Sequence, residues 1–214
     1  FMSVEAEAVR EKPDGLSLME AGGIGVPFTC AHMGLVGGAD VQAGETVAVL
    51  GANGKVGEAA IQIATMLGAR AIGVERRGSV YRGHATGPVD IIDASTEDVA
   101  EGLMERTDGR GADIVFNTVG SGAYFEIGWT CLASMGRHII ISTLEPSVPF
   151  DPLRFYRGNH RTIGVSNIAL DRFQTAALFE KLAPGFESGA LKPYPAGDGQ
   201  VFGLAEAREA YAKV

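Results

Sequence analysis

The run Val47-Ala-Val-Leu-Gly51-Ala-Asn-Gly54-Lys-Val-Gly57 constrains this chain more than any other. Four apolar residues lead into three glycines spaced by three, and a helical pattern opens at once. Such a strand, turn and helix admits an anionic group of the pyrophosphate type. Backbone N–H groups gather at the helix N-terminus, and a Cβ there would block close approach. Gly57 allows the helix to pack tightly on the strand. The spacing is G-x-x-G-x-x-G, one residue longer than the commoner G-x-G-x-x-G fingerprint.

Short apolar, β-branched runs recur after this point. Strands are expected at Thr46–Leu50, Arg70–Val74, Val89–Ile92, Ala112–Phe116, Arg137–Ile141 and Arg161–Val165. Most are apolar throughout, as expected of parallel strands covered on both faces. Between the first two, Val56, Ala59, Ala60, Ile63, Ala64 and Leu67 recur at three- and four-residue spacing and predict one buried helical face. A second helix is expected from about Thr96 to Arg106, capped by Ser95-Thr96-Glu97-Asp98. Another follows Gly120-Ser121-Gly122. Leu170–Phe186 reads as helix broken at Pro184-Gly185, and Leu204–Val214 as a strong helix without a stop.

This alternation specifies an α/β class: a doubly wound parallel sheet (Rossmann fold), three-layer α/β/α, with about six strands. Residues 1–45 form a lead-in segment, 46–166 the nucleotide-binding domain and 167–214 a C-terminal helical segment. At 214 residues the chain suits one such domain with flanking segments. The end in mid-helix reads as a cut.

Composition removes several classes. A formal charge of −8 argues against a nucleic-acid surface, which needs clustered Lys and Arg. No apolar run approaches a membrane span and no signal peptide opens the chain, so a cytoplasmic protein is expected. Cys30 and Cys131 are too few for a disulfide scaffold or a four-cysteine zinc lobe, and sit in apolar stretches as buried thiols. Cys30 with His32 falls short of the three protein ligands of a catalytic zinc site, so no metal is expected.

The second expected strand runs into Glu75-Arg76-Arg77. An acid there accepts hydrogen bonds from adenosine ribose hydroxyls and favours NAD. The arginines favour the 2′-phosphate of NADP. The two signals conflict, leaving NAD against NADP open. Two further strand ends face the same crevice: Asn117-Thr118-Val119-Gly120 and Ser142-Thr143-Leu144, both able to offer backbone groups to a nicotinamide ring. The cofactor-binding candidates are thus Gly51, Asn53, Gly54, Lys55, Val56, Gly57, Glu75, Arg76, Arg77, Asn117, Val119, Gly120, Ser142 and Thr143.

Other chemistries lack their residues. Tyr81, Tyr124, Tyr156 and Tyr194 are followed four residues later by Ala85, Gly128, His160 and Asp198, so no Tyr-x-x-x-Lys pair exists. There is no G-x-S-x-G elbow, and Lys55 lacks the hydroxyl residue and spacing of an ATP phosphate loop. His138 begins an apolar strand and reads as structural, whereas His160 and Arg161 read as surface. No catalytic residue is singled out.

With these residues in place, the chain resembles the medium-chain dehydrogenase/reductase superfamily, in particular its zinc-free quinone and enoyl reductase branch. Leu18–Thr29 is similar to that family's segment before the nucleotide domain, whose threonine, here Thr29, lies near the nicotinamide. Val41–Val47 resembles its lead into the first strand. Asp113–Gly120 resembles its fourth strand and turn, with Asn117 in place of the usual acid. Leu204–Tyr211 is similar to its late helix. The zinc branch carries a metal-binding cysteine where Gly25 stands here.

The resemblance implies an NAD(P)-dependent oxidoreductase passing hydride between NAD(P)H and a quinone, enoyl or carbonyl small-molecule substrate. It also implies a homodimer through the edge strand at Thr162–Ser166, and an N-terminal substrate domain of about a hundred residues that this chain does not contain. A non-catalytic dinucleotide-binding sensor or interaction module is the alternative. An S-adenosylmethionine methyltransferase is disfavoured by the glycine triplet.

Overall fold

A computed structural model describes residues 3–194 and 201–213. In chain order the helices are α1 (Leu18–Gly23), α2 (Gly25–His32), α3 (Lys55–Met66), α4 (Val99–Arg106), α5 (Gly122–Thr130), α6 (Pro152–Arg157), α7 (Arg172–Glu187) and α8 (Ala207–Ala212). The strands are β1 (Thr46–Leu50), β2 (Arg70–Glu75), β3 (Val89–Asp93), β4 (Ala112–Asn117), β5 (Leu132–Ile140) and β6 (Arg161–Gly164). All six lie in one sheet of order β3-β2-β1-β4-β5-β6, every pair parallel. The doubly wound α/β sheet anticipated from the sequence is present. Its order reverses at β1, which lies between β2 and β4.

Strand alternation builds the three layers. Val47 and Val49 face one side with Ile114, Phe116 and Ile139, packed under α2, α3 and α7. Ala48 and Leu50 face the other with Ile72, Val74 and Val115, against Val99 and Leu103 of α4. All five residues of β1 are buried, which is why that strand shows no polar alternation. Helix α2 continues into a π-helical turn, Met33–Gly38, which lies very close to the sheet. A Cβ on Gly34 would stand 2.7 Å from the Phe116 ring.

Several elements depart from the sequence pattern for identifiable reasons. β5 starts at Leu132, five residues early, because Met135 adopts a left-handed φ of 66° and lets the strand resume after an irregularity. α4 starts at Val99 with Asp98 as its cap, since the Ser95 hydroxyl is spent on Asp93. α7 is not broken at Pro184-Gly185. Pro184 lies in the last turn, so that only three residues of helix follow it, and Gly185 lets Leu191 pack against the helix. α3 is buried almost all round and not on one face only; Ile61, Gln62 and Thr65 are also enclosed. The segment from Leu204 forms a single 3-10 turn and the short α8, with Leu204 and Tyr211 exposed; Val214 lies outside the described residues. His160, expected at the surface, is buried with its ring against Phe155.

One ion pair holds the lead-in segment to the sheet. Arg137 of β5 is 6% exposed; its guanidinium donates to both Glu45 carboxylate oxygens at 2.8 and 2.7 Å and to the Ala39 carbonyl at 3.1 Å. Burial opposes ionisation of Glu45, but the Arg137 bonds and the Gln42 amide outweigh it and hold the carboxyl below its usual range. Removing one partner of such a pair leaves a charge without compensation. Arg137→Ala is expected to lower unfolding free energy by about 3 kcal/mol in denaturant titrations, and Arg137→Ala with Glu45→Ala by less than the sum.

His138 shows a second buried cost. It is 0% exposed, ringed by Phe125 and Trp129, and neither ring nitrogen has a partner. Burial pushes its pKa down to about 4. An unfolded histidine titrates near 6.5, so between pH 6.5 and 4 the unfolded state binds more protons. This contribution to stability is complete above pH 6.5 and declines as pH falls toward 4. It amounts to about 3 kcal/mol by linkage. Unfolding curves from pH 8 to 4 are expected to fall less steeply for His138→Leu than for the unchanged chain. Parallel curves would show that His138 carries no such linkage.

Candidate functional site

The site is built at the switch point, where β1 and β4 end side by side. After Leu50 the chain turns through Gly51 in a left-handed φ of 84°. A Cβ on Gly51 would lie 2.5 Å from the Thr118 hydroxyl, so β4's exit loop presses directly on the turn. Thr118 in return donates its N–H and hydroxyl to the Leu50 carbonyl at 3.2 and 2.7 Å. The amides of Gly51 and Ala52 reach across to the Val74 carbonyl of β2. Gly54 caps α3 without a side-chain hydrogen bond, which leaves the first turn of a 12-residue helix open to an external acceptor. A Cβ on Gly57 would stand 2.0 Å from the Gly51 carbonyl oxygen, so only glycine lets helix and turn touch.

This cradle, which a Cβ would fill, fits a dinucleotide pyrophosphate. Gly51, Asn53, Gly54, Lys55, Val56 and Gly57 would line it; the amides of Gly51, Asn53 and Gly54 are bonded within the fold, so those of Lys55, Val56 and Gly57 in the first turn of α3 would hold the anion. Asn53 does more than line the turn. Its N–H donates to a Glu75 carboxylate oxygen, its Oδ1 accepts from the Arg82 amide at 2.9 Å, and its Nδ2 donates to the Val80 carbonyl at 3.3 Å. Glu75 is half-buried, while Arg76 and Arg77 are exposed at the end of β2. The structure therefore brings the glycine turn and the end of β2 together.

The exit loops of β4 and β5 form a second group joined to the first through Thr118. Asn117 is fully buried, and its side-chain oxygen accepts from the amides of Val119 and Gly120 at 3.0 and 3.1 Å. It shapes the turn from inside through that oxygen, while its Nδ2 has no hydrogen-bond partner. Gly120 has φ of 73°, and a Cβ on it would press on the Ser142 carbonyl at 2.8 Å. Ser142 donates to the Thr118 carbonyl at 3.2 Å, and Thr143 bonds the backbone of Glu145; both are exposed. Thr29 stands apart. It is 2% exposed, its hydroxyl donates to the Gly25 and Val26 carbonyls, and it accepts from Asn167 at 3.4 Å.

Sequence reasoning missed three participants. Tyr194 donates its hydroxyl to the Asn53 carbonyl at 3.3 Å from 141 residues away. Gln62 is fully buried and exchanges hydrogen bonds with the backbone of Lys192, fixing that segment beside the turn. Glu58, in the first turn of α3, is buried with its pKa raised by desolvation, and accepts from Gln62 and the His84 amide. Only Glu58 had a local signal, an acid at a helix N-terminus. Distant backbone contacts leave none.

A cavity of about 900 Å³ lies elsewhere, between residues 4–13 and α7. It is largely apolar, and its charged groups include the Arg10–Glu180 ion pair at 2.6 Å. It presents no glycine cradle. No described helix is long and apolar enough to cross a membrane.

Comparison with known proteins places this geometry. Residues 56–181 match the family described as zinc-binding dehydrogenase. A zinc-type alcohol dehydrogenase-like protein of Schizosaccharomyces pombe is 34% identical over 191 residues, 88% of this chain and 54% of the relative. A quinone oxidoreductase-like protein 2 homolog of Nematostella vectensis is 29% identical over 208 residues, 94% of this chain and 56% of the relative. The solved structure of the CurK enoyl reductase superposes with a TM-score of 0.77 at 26% identity, covering 98% of this chain and 63% of that one. The chain thus spans about half the length of these two curated relatives.

The zinc in the family's description does not fit the residues here. Among the described residues no three His, Cys, Asp or Glu side chains converge, and Cys30 and His32 are two positions apart on one helix, on different faces. The turn, the sheet order and the matched residues agree on the remainder: the chain belongs to the zinc-binding dehydrogenase family, as the nucleotide-binding portion of a medium-chain dehydrogenase/reductase.

Proposed function

We propose that this chain binds NAD(P) along the carboxyl edge of its sheet and serves an oxidoreductase that moves hydride to or from a quinone, enoyl or carbonyl substrate. The observation that carries this reading is the contact of Gly57 with the Gly51 carbonyl at the open N-terminus of α3. The relatives named for quinone and enoyl reduction support the substrate classes. The bound nicotinamide would supply the hydride. The chain's own part is to hold and orient it. The amides of Lys55, Val56 and Gly57, at the end of the Gly51–Gly57 turn, bind pyrophosphate, and the end of β2 with Glu75, Arg76 and Arg77 meets the adenosine end. The loops at Val119–Gly120 and Ser142–Thr143 border the nicotinamide end, whereas the Thr29 hydroxyl, buried and bonded within α2 and to Asn167, offers it no free group. Positioning of this kind is the protein's main contribution to cofactor chemistry.

Gly54→Val tests the cradle without removing the fold. Gly54 has an ordinary extended conformation, and its Cβ would meet only the Gly51 carbonyl, at 3.3 Å. Titration with NADPH and NADH, followed by nicotinamide fluorescence, is expected to show affinity reduced by about tenfold or more. The thermal midpoint should stay within about 3 °C. Unchanged affinity would sink the assignment of the turn.

The same reading includes a homodimer paired through β6. That strand is the open edge of the sheet beyond β5, and Arg161, Thr162 and Gly164 are exposed along it. Light scattering is expected to return twice the chain mass; a monomer at working concentration would overturn the pairing.

A further inference from the structure

The end of the sheet away from the glycine turn carries its own group of uncommitted polar side chains. All six strands are parallel, and the turn lies at the carboxyl end of β1. The start of β5, helix α6 and the residue before β6 lie instead at the amino ends of the strands. The chain is cationic here. Between Asp151 and Asp171 it holds three arginines and a histidine and no acid, in a protein of formal charge −8.

Two backbone features shape this corner. Met135, with its left-handed φ of 66°, donates its amide to the Gly158 carbonyl at 2.7 Å, which ties the irregular start of β5 to the end of α6. A Cβ on Gly158 would stand 2.1 Å from Nε2 of His160, so glycine lets that ring lie against the helix end. A cavity of about 490 Å³ opens beside them. Its wall includes Leu132 and Ser134 of β5, Asp151, Arg154 and Arg157 at α6, and His160.

Donors outnumber acceptors in this wall. Arg154 uses one guanidinium nitrogen on the Thr130 carbonyl at 3.3 Å, and its other nitrogens are left over. Among the described residues no ion pair or side-chain hydrogen bond uses the Arg157 guanidinium or the Ser134 hydroxyl. Asp151 is committed as the cap of α6, accepting from the Arg154 amide at 3.1 Å. His160 is 9% exposed, and its Nδ1 is buried without a partner. Burial holds its pKa below the usual histidine value, so the imidazole is neutral near pH 7 and the positive charge comes from α6.

We propose that this cavity binds a phosphate group through Arg154, Arg157, His160 and Ser134. Two guanidinium groups three residues apart on one helix match the oxygens of a tetrahedral anion with charge-assisted hydrogen bonds. Two arginines against one carboxylate leave the wall net positive, which favours an anion. An oxyanion at Nδ1 favours the imidazole tautomer that carries its proton there, and so gives the buried nitrogen the partner it lacks. The cavity is larger than one phosphate, so a small phosphate monoester fits as well as the free anion. The site is separate from the glycine turn and does not rest on the nucleotide-binding reading.

The experiment is equilibrium dialysis of the full chain against radiolabelled inorganic phosphate and glycerol 3-phosphate, with glycerol as the uncharged competitor. Both phosphates are expected to bind, and glycerol is expected to displace neither. Tighter binding of the ester would assign the site to a monoester, and tighter binding of inorganic phosphate to the free anion. Arg157→Ala, at an exposed position, should weaken binding about tenfold, the loss of one charge-assisted pair. Arg157→Glu should abolish it. His160→Phe keeps a ring against Phe155, removes the nitrogens and should also weaken binding. Gly54→Val should leave phosphate binding unchanged, and Arg157→Ala should leave NADPH affinity unchanged. Absence of phosphate binding, binding indifferent to both Arg157→Ala and His160→Phe, or binding removed by Gly54→Val would overturn this inference. None of these would touch the cofactor titrations, which test the nucleotide-binding reading separately.

Discussion

The contact between the Gly51 carbonyl and the Cα of Gly57 is the constraint on which the rest of the site depends. A side chain at position 57 would meet that oxygen at 2.0 Å, so β1 and α3 could not stay joined by so short a turn. With the contact in place, α3 begins at Lys55, directly over the end of the central strand. The order of the sheet then decides what surrounds it. β2 and β4 flank β1, so the strand ends at Glu75 and Asn117 are delivered to either side of the turn. Each tightens it: Glu75 by accepting the Asn53 amide, and the β4 exit by closing Thr118 onto Leu50.

Burial of both sheet faces gives this arrangement its rigidity and also its costs. β1 and most of β2 and β4 are enclosed, and the helices above them lie close because small residues line the contact. Ala59, Ala60 and Ala64 of α3, with Gly34 in the π-helical turn, allow that approach. Polar groups caught in the same packing must find partners or remain unsatisfied. Arg137 finds Glu45 and the Ala39 carbonyl, and so ties the lead-in segment to β5. His138, one residue later on the opposite face, finds none. Neighbouring residues of one strand thus meet opposite fates, because alternation sends one toward the lead-in segment and the other into an aromatic cluster.

Much of this was legible in the chain. Apolar runs gave the strands to within a residue or two, apart from β5, which starts five residues before the expected Arg137 because a left-handed Met135 lets the strand resume after an irregularity. The glycine triplet located the turn, since a requirement for absent Cβ atoms is written in the residues themselves. Arg76 and Arg77 were visible because they follow a strand directly. Tyr194, Gln62 and Arg82 were not, because each is placed by a hydrogen bond between a backbone group and a side chain distant in sequence, and such bonds leave no pattern in composition or spacing.

Sequence by itself determined the alternation of strands and helices, the position of the glycine turn and the residues at the end of β2, because period and steric demand are local properties. Only the tertiary structure decided what those residues do. It bound one carboxylate oxygen of Glu75 to the Asn53 amide, turned Asn117 inward as a brace for its own loop, and replaced a crossover helix with a loop fixed to the turn. The physical reason is that a hydrogen-bonding group has a limited capacity, and which partner claims it depends on distances that no local pattern encodes.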